Sequence, residues 1–136
     1  MPTTTNYTLI TLPTHTDCRG TLTVVQNTDQ LLPFPIHRVF WITNIPNNQT
    51  RGGHLHLSQW EALFPLSGSF DITINNGTRQ TLIHLDQPHK GIIIPPGLWS
   101  QLSNLTPGTV ILALCDADYD ATGYRETPPT PNNPNP

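Results

Sequence analysis

The sequence predicts an all-β fold, a barrel or a double-sheet jelly roll, and three observations carry that reading. Short β-branched or apolar runs, each about four to eight residues, recur between turn residues. Asn76-Gly77 separates two of these runs and signals a hairpin, because a type I′ turn needs positive φ at both central positions. No stretch carries a capped apolar period of helical length.

In chain order, TLTVVQN (residues 21–27) is a first strand built on Thr and Val, and HRVFWITNI (37–45) is a second with aromatic residues added. A strand through HLHL follows, then ALFPL (62–66) and SFDITI (69–74). TLIHL (81–85) returns from the Asn76-Gly77 turn, GIIIPP (91–96) is an apolar run stopped by proline, and TVILALC (109–115) closes the set. The tail TPPTPNNPNP (127–136) holds five of the fifteen prolines and nothing apolar, so it reads as disordered or extended. The ordered part is expected to be one domain over residues 6–126.

Composition narrows the function classes. The chain has 136 residues, 11% of them charged, and a formal charge of −3. Lys90 is its single lysine, which leaves no basic surface for nucleic acid, although a few placed arginines suffice for one pyrophosphate. The start MPTTTNYTLITL lacks the basic and apolar regions of a signal peptide, and no apolar run approaches the roughly 20 residues of a membrane span. Cys18 and Cys115 are isolated and read as buried thiols. These features fit a soluble cytoplasmic protein.

The chemistry-bearing stretch is RGGHLHLSQWE (51–61). Residues i and i+2 of a strand share a face, so His54 and His56 project together while Leu55 and Leu57 point away. Such a pair can hold a metal, move a proton or sit satisfied on a strand. Gly52 and Gly53 permit a tight bend or close ligand approach. The spacing extends further: His54-x-His56, four residues, Glu61, six residues, Gly68, and later Pro95-x-Gly97-x-x-Ser100-x-x-x-Asn104. Together these resemble the two motifs of the cupin superfamily, whose small barrels often bind metal through two histidines and a glutamate of the first motif and a histidine of the second. Here the last position is Ser100. His54, His56 and Glu61 therefore remain candidate ligands for a divalent metal.

A larger part of the chain resembles one cupin branch, the WxcM-like or FdtA-type nucleotide-sugar 3,4-ketoisomerases. The matching segments are DCRGTL (17–22), LPFPIHRVFWI (32–42), RGGHLH (51–56), LSGS (66–69), LDQPHKGIIIPPGLW (85–99) and YDATGYR (119–125). The resemblance implies a jelly-roll barrel that forms a homodimer. It implies conversion of a dTDP-4-keto-6-deoxyhexose into its 3-keto isomer, with no cofactor and with His54 and His56 as acid and base. Histidine suits both proton removal and return near neutral pH. Arg51 and Arg19 are candidates for the substrate's phosphates, and Glu61, Trp41, Trp99 and Ser100 for further substrate contacts. Arg38 either joins them or merely flanks a strand. Tyr119 and Tyr124 are expected at the rim without an assigned role.

Departures from the family pattern fall near the expected pocket. The lysine of the HAHK-like motif is Leu57, and the glutamine position is Glu61. An aromatic pair that commonly carries tyrosine reads Phe40-Trp41, and the tryptophan-histidine pair reads Trp99-Ser100. A metal-dependent cupin enzyme and a catalytically silent sugar-nucleotide binder are the alternative readings.

Overall fold

The computed structural model describes residues 6–129, whose regular structure, apart from one short 3-10 turn, is antiparallel strands. They are β1 (Thr8–Thr11), β2 (Thr14–Asp17), β3 (Gly20–Thr23), β4 (Arg38–Ile42), β5 (Arg51–His56) and β6 (Glu61–Ser67), then β7 (Phe70–Asn75), β8 (Gln80–Leu85), β9 (Lys90–Ile94), β10 (Trp99–Ser103), β11 (Val110–Cys115) and β12 (Tyr124–Arg125). One sheet runs β1-β9-β6-β11-β4 and the facing sheet β12-β5-β10-β7-β8, with β2 and β3 forming a separate hairpin. Non-sequential neighbours such as β6 between β9 and β11 are the crossovers of a jelly roll. The expected all-β, cupin-type barrel is therefore what the chain forms.

Burial explains why some runs alternate and others do not. Ile72, Ile74 and Phe70 on β7 pack inward against Leu63, Ile92, Ile94, Ile111 and Ala113 of the opposite sheet. On that opposite sheet the intervening residues Ala62, Phe64, Ile93 and Leu114 are buried as well, in a second cluster with Leu12 and Phe34. The β6 and β9 sheet is thus covered on both faces, and its strands read as continuous apolar runs, whereas β7 alternates. Each full burial of a Phe or Ile side chain contributes about 1.5–3 kcal/mol.

That outer cover corrects the first expected strand. β3 stops at Thr23, and the following residues leave the sheet through a short 3-10 turn at Asn27–Asp29. Val25, Leu32 and Ile36 pack on the second cluster, so this segment serves as cover for a sheet rather than as a strand. The β7–β8 hairpin forms where expected but not with a type I′ turn. Asn75 pairs with Gln80, the Asn76 amide donates to the Arg79 carbonyl at 3.2 Å, and Gly77 alone of the loop takes positive φ (98°). The Asn76 side chain ties the loop by accepting from the amides of Thr78 and Arg79.

Of the expected tail, residues 127–129 are described and Pro129 is buried; the remaining residues lie outside the described part. Cys115 is buried as expected, but Cys18 is exposed. No helix among the described residues is long and apolar enough to cross a membrane.

Candidate active site

The two histidines stand where β5 lines the gap between the sheets. A register shift between Ser100 and Gln101 of β10 marks a bulge in β5, with Ser100 opposite His54 and Gln101 opposite Gly52. Gly53 is the extra residue, and Gly52 and Gly53 both take φ of 80°, a conformation costly for any residue with a Cβ. A Cβ on Gly52 would also come within 3.1 Å of the Ser100 carbonyl. The expected tight bend is this bulge.

The bulge opens onto a pocket of about 260 Å³ between the sheets. His54 and His56 line it with ring centroids 5.0 Å apart, nearly edge to face at 82°. Leu55, between them, is fully buried on the other side, as period two requires. His54 keeps partial access to solvent, whereas His56 is 7% exposed. Burial lowers the His54 imidazole below its ordinary value; the His56 ring beside it adds to the effect and the Glu61 carboxylate opposes it. His54 is therefore neutral, a free base, at neutral pH.

Glu61 begins β6 on the opposite wall. Its Oε2 lies 3.5 Å from Nε2 of His56, close enough for ion pairing but outside hydrogen-bond geometry, and that nitrogen is buried without a hydrogen-bond partner. The Cys115 thiol donates to the same carboxylate oxygen at 3.8 Å. Burial, reinforced by the Glu61 carboxylate, pushes the Cys115 thiol up to about 12, so the sulfur stays protonated and serves as a donor.

Arg38 enters from β4. Its Nε donates to the Ala117 carbonyl at 3.1 Å and its Nη2 to Gln59 Oε1 at 2.9 Å, which holds the guanidinium between the rings of Phe40 (5.2 Å) and Tyr119 (5.9 Å). Tyr124 comes from β12, which pairs with β5 so that Tyr124 stands opposite His56. Its ring lies 4.8 Å from His54 and 4.7 Å from His56, centroid to centroid.

Of the residues expected at a site, His54, His56, Arg51, Glu61 and Ser100 line this pocket together, and Arg38 joins them. Three others do not. Arg19 sits on the exposed β2–β3 hairpin, where its guanidinium pairs with Asp17 at 2.6 Å. Trp41 is 65% exposed, because alternation along β4 sends Phe40 and Ile42 inward and Val39 and Trp41 outward. Trp99 lies outside the lining and donates its indole N–H to the Glu126 carbonyl at 2.9 Å. The same alternation read from Phe40 would have placed Arg38 inside. Tyr124 had no comparable local signal, since only a long-range pairing brings it to the histidines.

The metal alternative does not fit this arrangement. Among the described residues, no three His, Cys, Asp or Glu side chains are grouped so as to hold a metal ion, and the fourth cupin position is the poor ligand Ser100.

Comparison with known proteins agrees with the geometry. Residues 5–128 match the model of the family described as WxcM-like, C-terminal (FdtA). The TDP-4-oxo-6-deoxy-alpha-D-glucose-3,4-oxoisomerase of Aneurinibacillus thermoaerophilus is 30% identical over 108 residues, which cover 79% of this chain and 77% of that protein. The structure of QdtA, a sugar 3,4-ketoisomerase from Thermoanaerobacterium thermosaccharolyticum in complex with TDP, superposes with a TM-score of 0.85 at 33% identity, covering 90% of this chain and 88% of that one. The WlaRB TDP-quinovose 3,4-ketoisomerase of Campylobacter jejuni gives a TM-score of 0.85 at 33% identity over 90% of this chain and 93% of that one. A jelly roll with paired imidazoles on a glycine-bulged strand, matched along nearly its whole described length, makes this chain a member of the WxcM-like, C-terminal family.

Proposed function

We propose that the protein is a 3,4-ketoisomerase of a TDP-linked 4-keto-6-deoxyhexose, with His54 as the base that takes the C3 proton. The observation that carries this reading is the pair of imidazoles, 5.0 Å apart on one strand face of a pocket between the sheets. His54, held neutral by burial, is ready to accept a proton at neutral pH. His56, with the Glu61 carboxylate 3.5 Å from its Nε2, is suited to carry a proton and return it at C4. Arg51 and Arg38 line the same pocket and supply the positive charge that a pyrophosphate needs. No cofactor takes part in this scheme, because the isomerisation is redox-neutral and side chains handle each proton.

We further propose a homodimer. β4 is an edge strand whose outer face shows Val39 (49% exposed) and Trp41 (65%), an apolar edge that invites a second copy. A cytoplasmic location suits a multiply charged sugar nucleotide, which does not cross a bilayer unaided.

The test is proton NMR of chelator-treated protein with TDP-4-keto-6-deoxyglucose in deuterated water. The expected result is a 3-keto isomer carrying deuterium at C4, with turnover lowered by about 10²–10⁴ in His54→Asn. A folded, TDP-binding protein that leaves the sugar unchanged would overturn the reading.

A further inference from the structure

We propose that Tyr124 is a catalytic residue whose hydroxyl serves the two sugar oxygens while the imidazoles serve the two carbons. The inference rests on the 3,4-ketoisomerase reading and adds a role to it. Moving a ketone from C4 to C3 transfers two protons, one from C3 to C4 and one from the C3 oxygen to the C4 oxygen. Two imidazoles on one strand face account for the first. The second needs a group that can both give and take a proton at oxygen, and a hydroxyl does both.

Few hydroxyls reach this pocket. The β4 wall presents Phe40 and Ile42, which have none. Ser100 is buried on β10 opposite His54, and Tyr119 is 65% exposed at the mouth. Tyr124 alone among them has its ring against both imidazoles, at 4.8 and 4.7 Å. Its position is fixed from both sides. The Leu57 amide donates to the Gly123 carbonyl at 2.9 Å, and the Trp99 indole donates to the Glu126 carbonyl at 2.9 Å. Burial raises the Tyr124 phenol above its ordinary value, with the neighbouring Arg38 opposing, so the hydroxyl is protonated throughout the neutral range.

The steps balance. His54 takes the C3 proton, and the C–H electron pair becomes the C3–C4 double bond. The carbonyl π pair moves onto the C4 oxygen, which takes the Tyr124 hydroxyl proton to give an enediol. In the second half the C3 hydroxyl returns a proton to the Tyr124 oxygen, the C3 carbonyl forms, and C4 takes a proton from the imidazole pair. The tyrosine ends as it began, and no outside reactant enters.

Tyr124→Phe tests this, because it keeps the ring on the histidines and the β12 backbone pairing. The assay is isomerisation of TDP-4-keto-6-deoxyglucose, with TDP affinity and the His54 and His56 ring-proton shifts measured alongside. The expected result is kcat lowered by about 100-fold, with KM, TDP affinity and histidine shifts close to wild type. A kcat within about threefold of wild type would overturn the proposal. So would a fall in kcat accompanied by a matching loss of TDP affinity and moved histidine shifts, which would make the residue structural. Failure of the wild type itself to isomerise would remove the ketoisomerase reading and this role with it, an outcome distinct from failure of the variant alone.

Discussion

Glu61 is the carboxylate that faces the imidazole pair, and its burial gives it leverage that a surface carboxylate lacks. The groups around His54 are His56, Glu61 and Arg51. Burial and the neighbouring His56 hold His54 below its ordinary value, so the acid limb of kcat/KM is expected below pH 6.5. Glu61 works in the opposite direction, since its negative charge favours the imidazolium. In Glu61→Gln that limb is therefore expected to shift to still lower pH, together with a fall in kcat from the loss of His56's charged neighbour. A pH–rate profile of the two proteins checks this, and an unmoved limb would separate Glu61 from the histidine pair. The same depression makes His54 a source of acid lability. Below pH 6.5 the unfolded chain takes up the proton first, so this contribution to stability is present above that value and lost as pH falls through the folded-state pKa. The histidines were legible because period two dictates a shared face. Glu61 was legible only as a spacing, since nothing local says which wall it stands on.

Among the elements, β12 is the shortest strand and the one on which the site most depends. It has only Tyr124 and Arg125, too few to hold themselves in place, and its attachment to β5 is backed by the Trp99 indole on Glu126. Trp99 thus acts at a distance, through a strand that it anchors, and not by lining the histidine pocket. Trp99→Phe removes one hydrogen bond worth about 1 kcal/mol, so exchange of the Leu57 amide, which reports β12 docking, is expected to quicken by roughly fivefold. Hydrogen-exchange NMR reads this directly, and unchanged protection would show that the indole contributes nothing to the clasp. Sequence patterns had no access to β12, because two residues carry no period. The longer strands were legible, and β4 shows what the pattern still withheld. Burial alternates along RVFWI, but every residue after Arg38 is apolar, so the sequence does not say which parity faces inward, and the pairing with β11 decides it. Trp41 was placed inside for want of that information.

At the scale of the whole molecule, one sheet ends in β1 and β4, each paired within the chain on one side only, and Leu9, Val39 and Trp41 on these strands are exposed. Leu22 is 62% exposed on a β2–β3 hairpin exposed at every residue, a poor arrangement for a lone chain in water. Light scattering is expected to give twice the chain's mass, and Trp41→Glu to weaken the association by about 30-fold or more, the scale of a buried aromatic anchor. A wild-type monomer at tens of micromolar would rule the dimer out. Turn spacing and apolar runs made the jelly roll readable. The β2–β3 hairpin was not, since Thr14–Asp17 has no apolar residue to announce it.

The Gly53 bulge has a genetic consequence. Arg51 and His54 are three residues apart, an odd number that in a regular strand would send them to opposite faces; the extra residue lets them count as two, with Leu102 opposite Arg51 and Ser100 opposite His54. Loss of the whole codon for Gly53 would leave an arginine and a histidine two apart, still facing the same way. A β-branched residue at that codon is strained at the φ of 80° that Gly53 holds, and straightening the strand to relieve it would set Arg51 on the face opposite His54. At this position a missense change is the graver lesion and an in-frame deletion the milder one, the reverse of the usual order.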